Sequence, residues 1–287
     1  MIDPATGIGA VHLTIADLDA SIRFYQSHLG FVVHRRGDRT ASLGAGAPGG
    51  PGHNVLLVLT QSESAPRVRG TTGLYHFAIL VPSRADLARS LRRLVETETV
   101  LQGAADHGVS EALYLADVDG NGIEIYRDRP RREWPFVDGQ LRMGADAIDL
   151  EELLSSANGA TGAGLSSATK MGHVHLHVSR LADAERFYVD VLGFELMQRY
   201  GPSALFVSAG GYHHHIGLNT WAGVGAPPPP PGAMGLKYFV VQLPNEQARA
   251  SVIDRVRAAA IHVDRADDGM LVRDPAGNAL TLTVAAH

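Results

Sequence analysis

Half of this chain is written twice. VHLTIADLDASIRFYQSHLGF, beginning at Val11, returns as VHLHVSRLADAERFYVDVLGF beginning at Val174. GLYHFAILVPS from Gly73 returns as GLKYFVVQLPN from Gly235. Each second segment leads to a related ending, DVDGNGIEIY over Asp117–Tyr126 and DPAGNALTLT over Asp274–Thr283. A self-similar sequence folds into self-similar units, so the repeat constrains the architecture before any motif does. Ligand-type residues are kept in some copies and lost in others, and that pattern bears on function.

The repeat resolves into four short modules. In the first, about Gly7 to Thr60, Val11, Leu13 and Ile15 alternate with His12, Thr14 and Ala16, the period of a strand. Asp17 stands where a helix N-cap belongs, and Leu18, Ile22, Phe24, Tyr25 and Leu29 follow at helical spacing. Gly30 suits the left-handed position that ends such a helix. Strands at Phe31–His34, Thr40–Leu43 and Asn54–Leu59 complete a βαβββ unit. The second module, Thr71 to Asp128, predicts a helix over Arg84–Glu98 and strands near Ala112–Leu115 and Gly122–Tyr126. Modules three (Met171 to Thr220) and four (Met234 to Val284) repeat one and two. The expected fold is α+β, four βαβββ modules forming two open-barrel domains over residues 7–128 and 171–284.

Residues 129–170 join the halves. They hold an acidic, leucine-bearing segment, Ala147–Ser155, that predicts a short helix, and a Gly/Ala/Ser-rich tract over Ser156–Ser167 that predicts a flexible connector. The GAPPPPPG run at Gly225–Gly232 reads as a stiff polyproline loop between modules three and four, matching SAPRVRGTTG at Ser64–Gly73.

At 287 residues there is chain enough for two domains with proper cores. A 45% hydrophobic and 19% charged composition is that of a globular protein, and a net charge of −5 offers no field for nucleic acid. No apolar run approaches the roughly 20 residues of a membrane helix, and MIDPATGIGA does not read as a signal peptide, so no membrane and a cytoplasmic location are expected. With no cysteine and 14 histidines, any metal site must be built from nitrogen and oxygen ligands.

Paired modules that open with a histidine strand and close on DxxGNxxE resemble the vicinal oxygen chelate superfamily of glyoxalases, extradiol dioxygenases, fosfomycin-resistance enzymes and bleomycin-binding proteins. The resemblance covers nearly the whole chain outside the connector. DHGVSEALYLADVDGNGIEIYRDRP (Asp106–Pro130) and FVSAGGYHHHIGLNTW (Phe206–Trp221) are most similar to the two-domain catechol-2,3-dioxygenase-like branch.

In that superfamily a strand-opening His and a strand-closing Glu from facing modules hold the metal. The opening position is Ala10, His76, His173 and Tyr238 in the four modules, and the closing acid is Glu124 in the second but Thr281 in the fourth. The resemblance therefore implies one metal held by His76, Glu124 and His173, provided that modules two and three face each other. Two His and one Glu form the facial triad of non-haem Fe(II) oxygenases, with positions left open for substrate and O₂. Fe(II) is the expected cofactor, and Mn, Zn or Ni suit the same donors. Strand parity agrees: Glu124 lies between Ile123 and Ile125, and an inward carboxylate needs a partner.

The resemblance also implies three further residues. His214 would be the acid–base that shuttles substrate protons, since a histidine titrates near neutrality. Parity puts His213 and His215 on the face opposite His214. Tyr114 would hydrogen-bond a substrate oxygen, and His107 would contact substrate or support those that do. Asp117 and Asn121 are read as turn formers. Arg127 and Arg129 are read as partners of carboxylates such as Asp128 or Glu133, with an anionic ring substituent as the other option.

The function implied is extradiol cleavage of a small aromatic diol with O₂ by a mononuclear metalloenzyme, with room for a homo-oligomer. A glyoxalase-like metal-dependent isomerase or transferase would need a fourth ligand, from His214 or His215. A non-catalytic binding protein of the bleomycin-resistance kind would use the cleft without metal and leave the triad unexplained.

Overall fold

A computed structural model describes every residue except Pro51, Ser64, 158–163, Asp267, Asp268, Ala286 and His287. The first module is β1 (Gly7–Ile15), α1 (Leu18–Leu29), β2 (Val32–Arg36), β3 (Thr40–Ala45) and β4 (Asn54–Gln61). The second is β5 (Gly73–Leu80), α2 (Arg84–Glu96), β6 (Gly103–Asp106), β7 (Ser110–Ala116) and β8 (Gly122–Asp128). The linking segment carries a two-stranded hairpin, β9 (Phe136–Val137) and β10 (Gln140–Leu141), and the expected short helix, α3 (Leu150–Ser155). Module three is β11 (Lys170–His177), α4 (Leu181–Glu185), β12 (Glu195–Tyr200), β13 (Ala204–Ser208) and β14 (Ile216–Asn219). Module four is β15 (Gly235–Leu243), α5 (Glu246–Ala258), β16 (Asp264–Ala266), β17 (Gly269–Arg273) and β18 (Ala279–Val284).

The modules assemble into two eight-stranded sheets, each an open half-barrel. One runs β16-β17-β18-β15-β1-β4-β3-β2, and the other β12-β13-β14-β11-β5-β8-β7-β6. Modules four and one thus share the first sheet, and modules three and two the second. Two compact units make up the chain: Met1–His12, Pro66–Tyr75 and Gly172–His287 in one, Leu13–Ala65 and His76–Met171 in the other. Among the described residues no helix is long and apolar enough to cross a membrane.

Local chemistry explains the elements. Asp17 accepts the Ala20 N–H at 2.9 Å and so caps α1, while Gly30 ends it at φ 75°, where only glycine sits without penalty. Ser83 and Asn245 cap α2 and α5 in the same way. The third module departs from the first: Arg180 offers no side-chain cap, and the helix widens into a π-helical segment over Arg186–Val191. The helix α2 stops at Glu96, short of the expected Glu98, which takes a left-handed φ of 52°. Six of the twelve positions in the expected connector tract, 158–163, lie outside the described residues; just beyond them Leu165 N–H donates to Gly30 O.

Strand alternation sorts apolar from ligand-type side chains. In the second module Phe77, Ile79, Leu113, Ile123 and Ile125 are buried on one face, as are Leu87, Leu91 and Leu94 of α2. Burying each such side chain contributes roughly 1.5–3 kcal/mol. The opposite face carries His76, Ala78, Tyr114 and Glu124: β5 and β8 run parallel with Ala78 beside Glu124, and antiparallel β7 sets Tyr114 opposite Glu124.

The DxxGN turns do more than reverse the chain. Asp117 Oδ1 accepts the N–H groups of Asp119 and Asn121, and Oδ2 accepts Asn121 Nδ2 and the Tyr25 hydroxyl. Asp274 repeats the arrangement with Ala276, Asn278 and Tyr188. Burial pushes both carboxyls above the usual Asp range, against the pull of these donors.

Candidate metal centre and active site

His76 and Glu124 meet on neighbouring strands of one unit. His76 Nε2 lies 3.0 Å from Glu124 Oε2, and both side chains are buried. His173, on β11 of the same sheet, is likewise buried. Each of the three offers one ligand atom, and these atoms lie within 4.8 Å of one another. Ligand atoms about 2.1 Å from one ion stand roughly 3–4 Å apart, so this set closes on a single ion with small side-chain shifts. The donors are hard and borderline nitrogen and oxygen, right for Fe(II), Mn, Zn or Ni, and a buried carboxylate beside two imidazoles is the charge such an ion would balance. The residues present fit a mononuclear metal.

Around Glu124 a short relay is fixed by its end. His107 Nδ1 lies 2.6 Å from Gly144 O, which can only accept, so Nδ1 carries hydrogen. In the neutral ring Nε2 is then an acceptor, and the Tyr114 hydroxyl 2.6 Å away donates to it. The Tyr114 ring lies 5.7 Å from that of His76, centroid to centroid. His107 thus touches the Tyr114 hydroxyl.

The histidine run departs from expectation. Residues 212–215 are not in a strand, since β14 begins at Ile216, so parity does not separate the three rings. His213 and His214 face each other, with Nδ1 to Nδ1 at 2.8 Å, so one Nδ1 donates and the other accepts. His214 lies against His173 with ring centroids 4.0 Å apart, and against Phe206 at 4.8 Å. Neither histidine is a surface metal scavenger, as both are buried. His215 is different again. Its Nδ1 accepts the Ala209 N–H at 3.2 Å, and burial, with the charges of His213 and His173, depresses its pKa to about 3. It stays neutral across the physiological range and is unsuited to acid catalysis.

The two arginines pair with carboxylates, as expected. Arg127 and Arg129 turn to Glu111, and Arg129 also to Asp106, while Arg127 Nη1 donates to the Asp128 backbone carbonyl at 3.2 Å. Arg84 at the start of α2 joins them, bonding Glu111 and Glu152. The network surrounds a buried Glu111 and ties α2 and α3 to the sheet. A lone acid in the strand SEALY was the only sequence signal for it. These guanidinium groups are occupied, which removes them as anchors for an anionic ring substituent. Glycine at 217 is a second feature unread in the sequence: a Cβ there would lie 2.8 Å from the His175 ring.

Comparison with known proteins agrees with this architecture. The chain is 48% identical over 278 residues to a catechol-2,3-dioxygenase of Bacillus subtilis (strain 168), covering 96% of this chain and 95% of that one. Its fold is similar to that of a Bacillus subtilis protein provisionally described as a dioxygenase (TM-score 0.63, 14% identity, 97% and 84% of the two chains). It is also similar to that of glyoxalase I from Zea mays (TM-score 0.59, 16% identity, 97% and 92%). The model of the Glyoxalase/Bleomycin resistance protein/Dioxygenase superfamily matches residues 7–125 and 170–282, and with two such matches on a sheet-paired βαβββ repeat the chain belongs to that superfamily.

Proposed function

We propose that this protein is an extradiol ring-cleaving dioxygenase of catechol-type substrates, with a single non-haem ion held by His76, Glu124 and His173. The observation that carries the reading is the triad of two imidazoles and one carboxylate, buried and within 4.8 Å, in a chain so similar to a catechol-2,3-dioxygenase. Fe(II) is the ion we assign. When bound, it supplies a centre at which a catecholate and O₂ are brought together. The overall change needs no external reductant: both oxygen atoms of O₂ enter the product as the carbon–carbon bond beside the diol breaks, leaving an aldehyde and a carboxylic acid.

The protein's own groups supply protons and orientation. His214, with Nδ1 engaged by His213, is assigned as the base that takes a substrate hydroxyl proton through Nε2 and later returns one. Tyr114, its hydroxyl 2.6 Å from His107 Nε2, is assigned to hydrogen-bond a substrate oxygen and set the ring's orientation. His107 is a positioning residue. The buried apolar shell of the sheet excludes water, which strengthens each of these interactions.

A four-ligand isomerase site is less well supported. Among the described residues the cluster of ligand-type side chains has three members and no second carboxylate.

The test is metal content and oxygen uptake on protein purified without oxygen, wild type beside His76→Ala and His173→Ala. One Fe or Mn per chain, lost in both variants, with catechol-dependent O₂ consumption and a yellow ring-opened product, is the expected result. Metal without oxygen uptake would move the assignment to an isomerase or transferase. Absence of metal from all three proteins would leave a binding protein.

A further inference from the structure

A cleft of about 360 Å³ lies between the segment Met1–Asp3 and α5, wholly within one unit of the chain. Ile2 and Val252 form its buried apolar wall, and Asp3, Asn245, Ser251 and Arg255 supply polar groups. Ile2 N–H donates to Gly193 O at 2.8 Å, which fixes that wall. Gly193 takes φ 91°, and a Cβ there would lie 2.7 Å from Ile2 N and 3.1 Å from Arg255 Nη2. Glycine is what lets both close in.

Arg255 carries a charge that no acid offsets. Its Nε donates to Val191 O at 3.0 Å and its Nη2 to Leu192 O at 2.6 Å, and among the described residues no carboxylate pairs with it. Burial alone pulls its pKa below the ordinary arginine value. A guanidinium has five N–H donors, so the edge formed by Nη1 and Nη2 still has hydrogens to give. That edge matches the two oxygens of a carboxylate. Asp3 Oδ1 accepts the Ala5 N–H at 2.9 Å, which leaves Oδ2 to accept from a bound molecule.

The other copy of this corner is built differently. Arg93 stands where Arg255 does and Gly30 where Gly193 does, and Leu165 N–H donates to Gly30 O at 2.9 Å as Ile2 does to Gly193. There Asp86 and Arg89 pair with each other, and the charge of Glu96 supports that of Arg93. The corresponding residues here are Ala248, Ser251 and Ala258. Small side chains thus open the space, and the supporting acid is missing.

We propose that this cleft binds a small carboxylate with a donor group beside the carboxyl, an amino or a hydroxy acid, the Arg255 fork taking the carboxylate and Asp3 the donor. The cleft holds roughly a dozen water volumes, enough for such a molecule. Neither the metal centre nor the dioxygenase reading enters into this assignment.

The experiment is calorimetric titration of the full chain with L-alanine and with L-lactate, which differ only in ammonium against hydroxyl, and with inorganic phosphate. At least one of the two acids should bind saturably, with a Kd at or below about 1 mM and tighter than phosphate. Preference for L-alanine would make the ligand an amino acid, and preference for L-lactate a hydroxy acid. Arg255→Gln should weaken binding about tenfold or more, but it also strips two backbone carbonyls of their donor. Ala248→Asp with Ser251→Arg avoids that by rebuilding the other copy's ion pair across the cleft. This double variant should lose binding with its melting temperature unchanged. Absence of saturable binding in wild type, phosphate binding as tight as either acid, or undiminished binding in the double variant would overturn the site.

Discussion

The Tyr25 hydroxyl donates to Asp117 Oδ2 at 2.7 Å, binding the first module's helix to the second module's turn across 92 residues of sequence. The repeat makes the bond again between Tyr188 and Asp274 at 3.2 Å. All four groups are buried. Removing the donor leaves a buried carboxyl short of a partner, which costs about 1–3 kcal/mol. Tyr25→Phe should therefore lower unfolding stability by that amount in urea titrations, and Tyr188→Phe by less, since its bond is longer. Equal and negligible losses would show that the turn's own donors suffice.

The same two tyrosines set an alkaline limit. Burial, then the charge and hydrogen bond of the facing aspartate, raises both phenols well above their ordinary value of 10.0. A group whose folded pKa is raised contributes stability that is complete below its unfolded pKa and lost as pH climbs toward the folded one. Stability should thus hold to about pH 10 and fall above it. In a phenolate absorbance titration at least two tyrosines should ionise only together with loss of circular dichroism. Ionisation of all tyrosines in folded protein would contradict this.

Gly217→Ala tests the close approach beside the triad. Its Cβ would sit 2.8 Å from ring atoms of His175, on the strand paired with β11. Overpacking of this kind costs about 1–3 kcal/mol. A thermal melt at unchanged or higher temperature would show that the His175 ring moves aside freely.

Tyr114→Phe and His107→Ala should act as one unit. If His107 works only by orienting the Tyr114 hydroxyl, each single variant lowers kcat/KM for catechol by roughly tenfold or more, and the double variant is little worse than Tyr114→Phe. Multiplicative losses would give His107 a substrate contact of its own.

His214→Gln should leave metal content at the wild-type level while lowering kcat by about 10²–10⁴-fold. Loss of metal in this variant would make His214 a ligand rather than a proton carrier.

The four modules, their helices and most strand positions, to within a residue or two, were legible in the sequence because local rules decide them: period-two alternation, the cap at Asp17, and the glycine after α1. His76, Glu124 and His173 stood out because one copy kept a ligand-type residue where the other had Tyr238, Thr281 or Ala10. Their proximity was not legible, since it depends on β11 lying next to β5, a choice made by long-range sheet pairing. The histidine run misled because parity holds only inside a strand, and the chain at 212–215 is irregular. That Arg127 and Arg129 pair with carboxylates was legible, but the partner Glu111 was not, because it lies directly across the ladder from Arg127, a register that the sequence does not state. By itself the sequence determined the repeating unit and the donor types, which follow from local propensity and residue chemistry. Only the tertiary structure decided which donors meet, which proton points where between His107 and Tyr114, and that Ile2 and Arg255 line one cleft, because those depend on sheet order and packing between segments far apart in the chain.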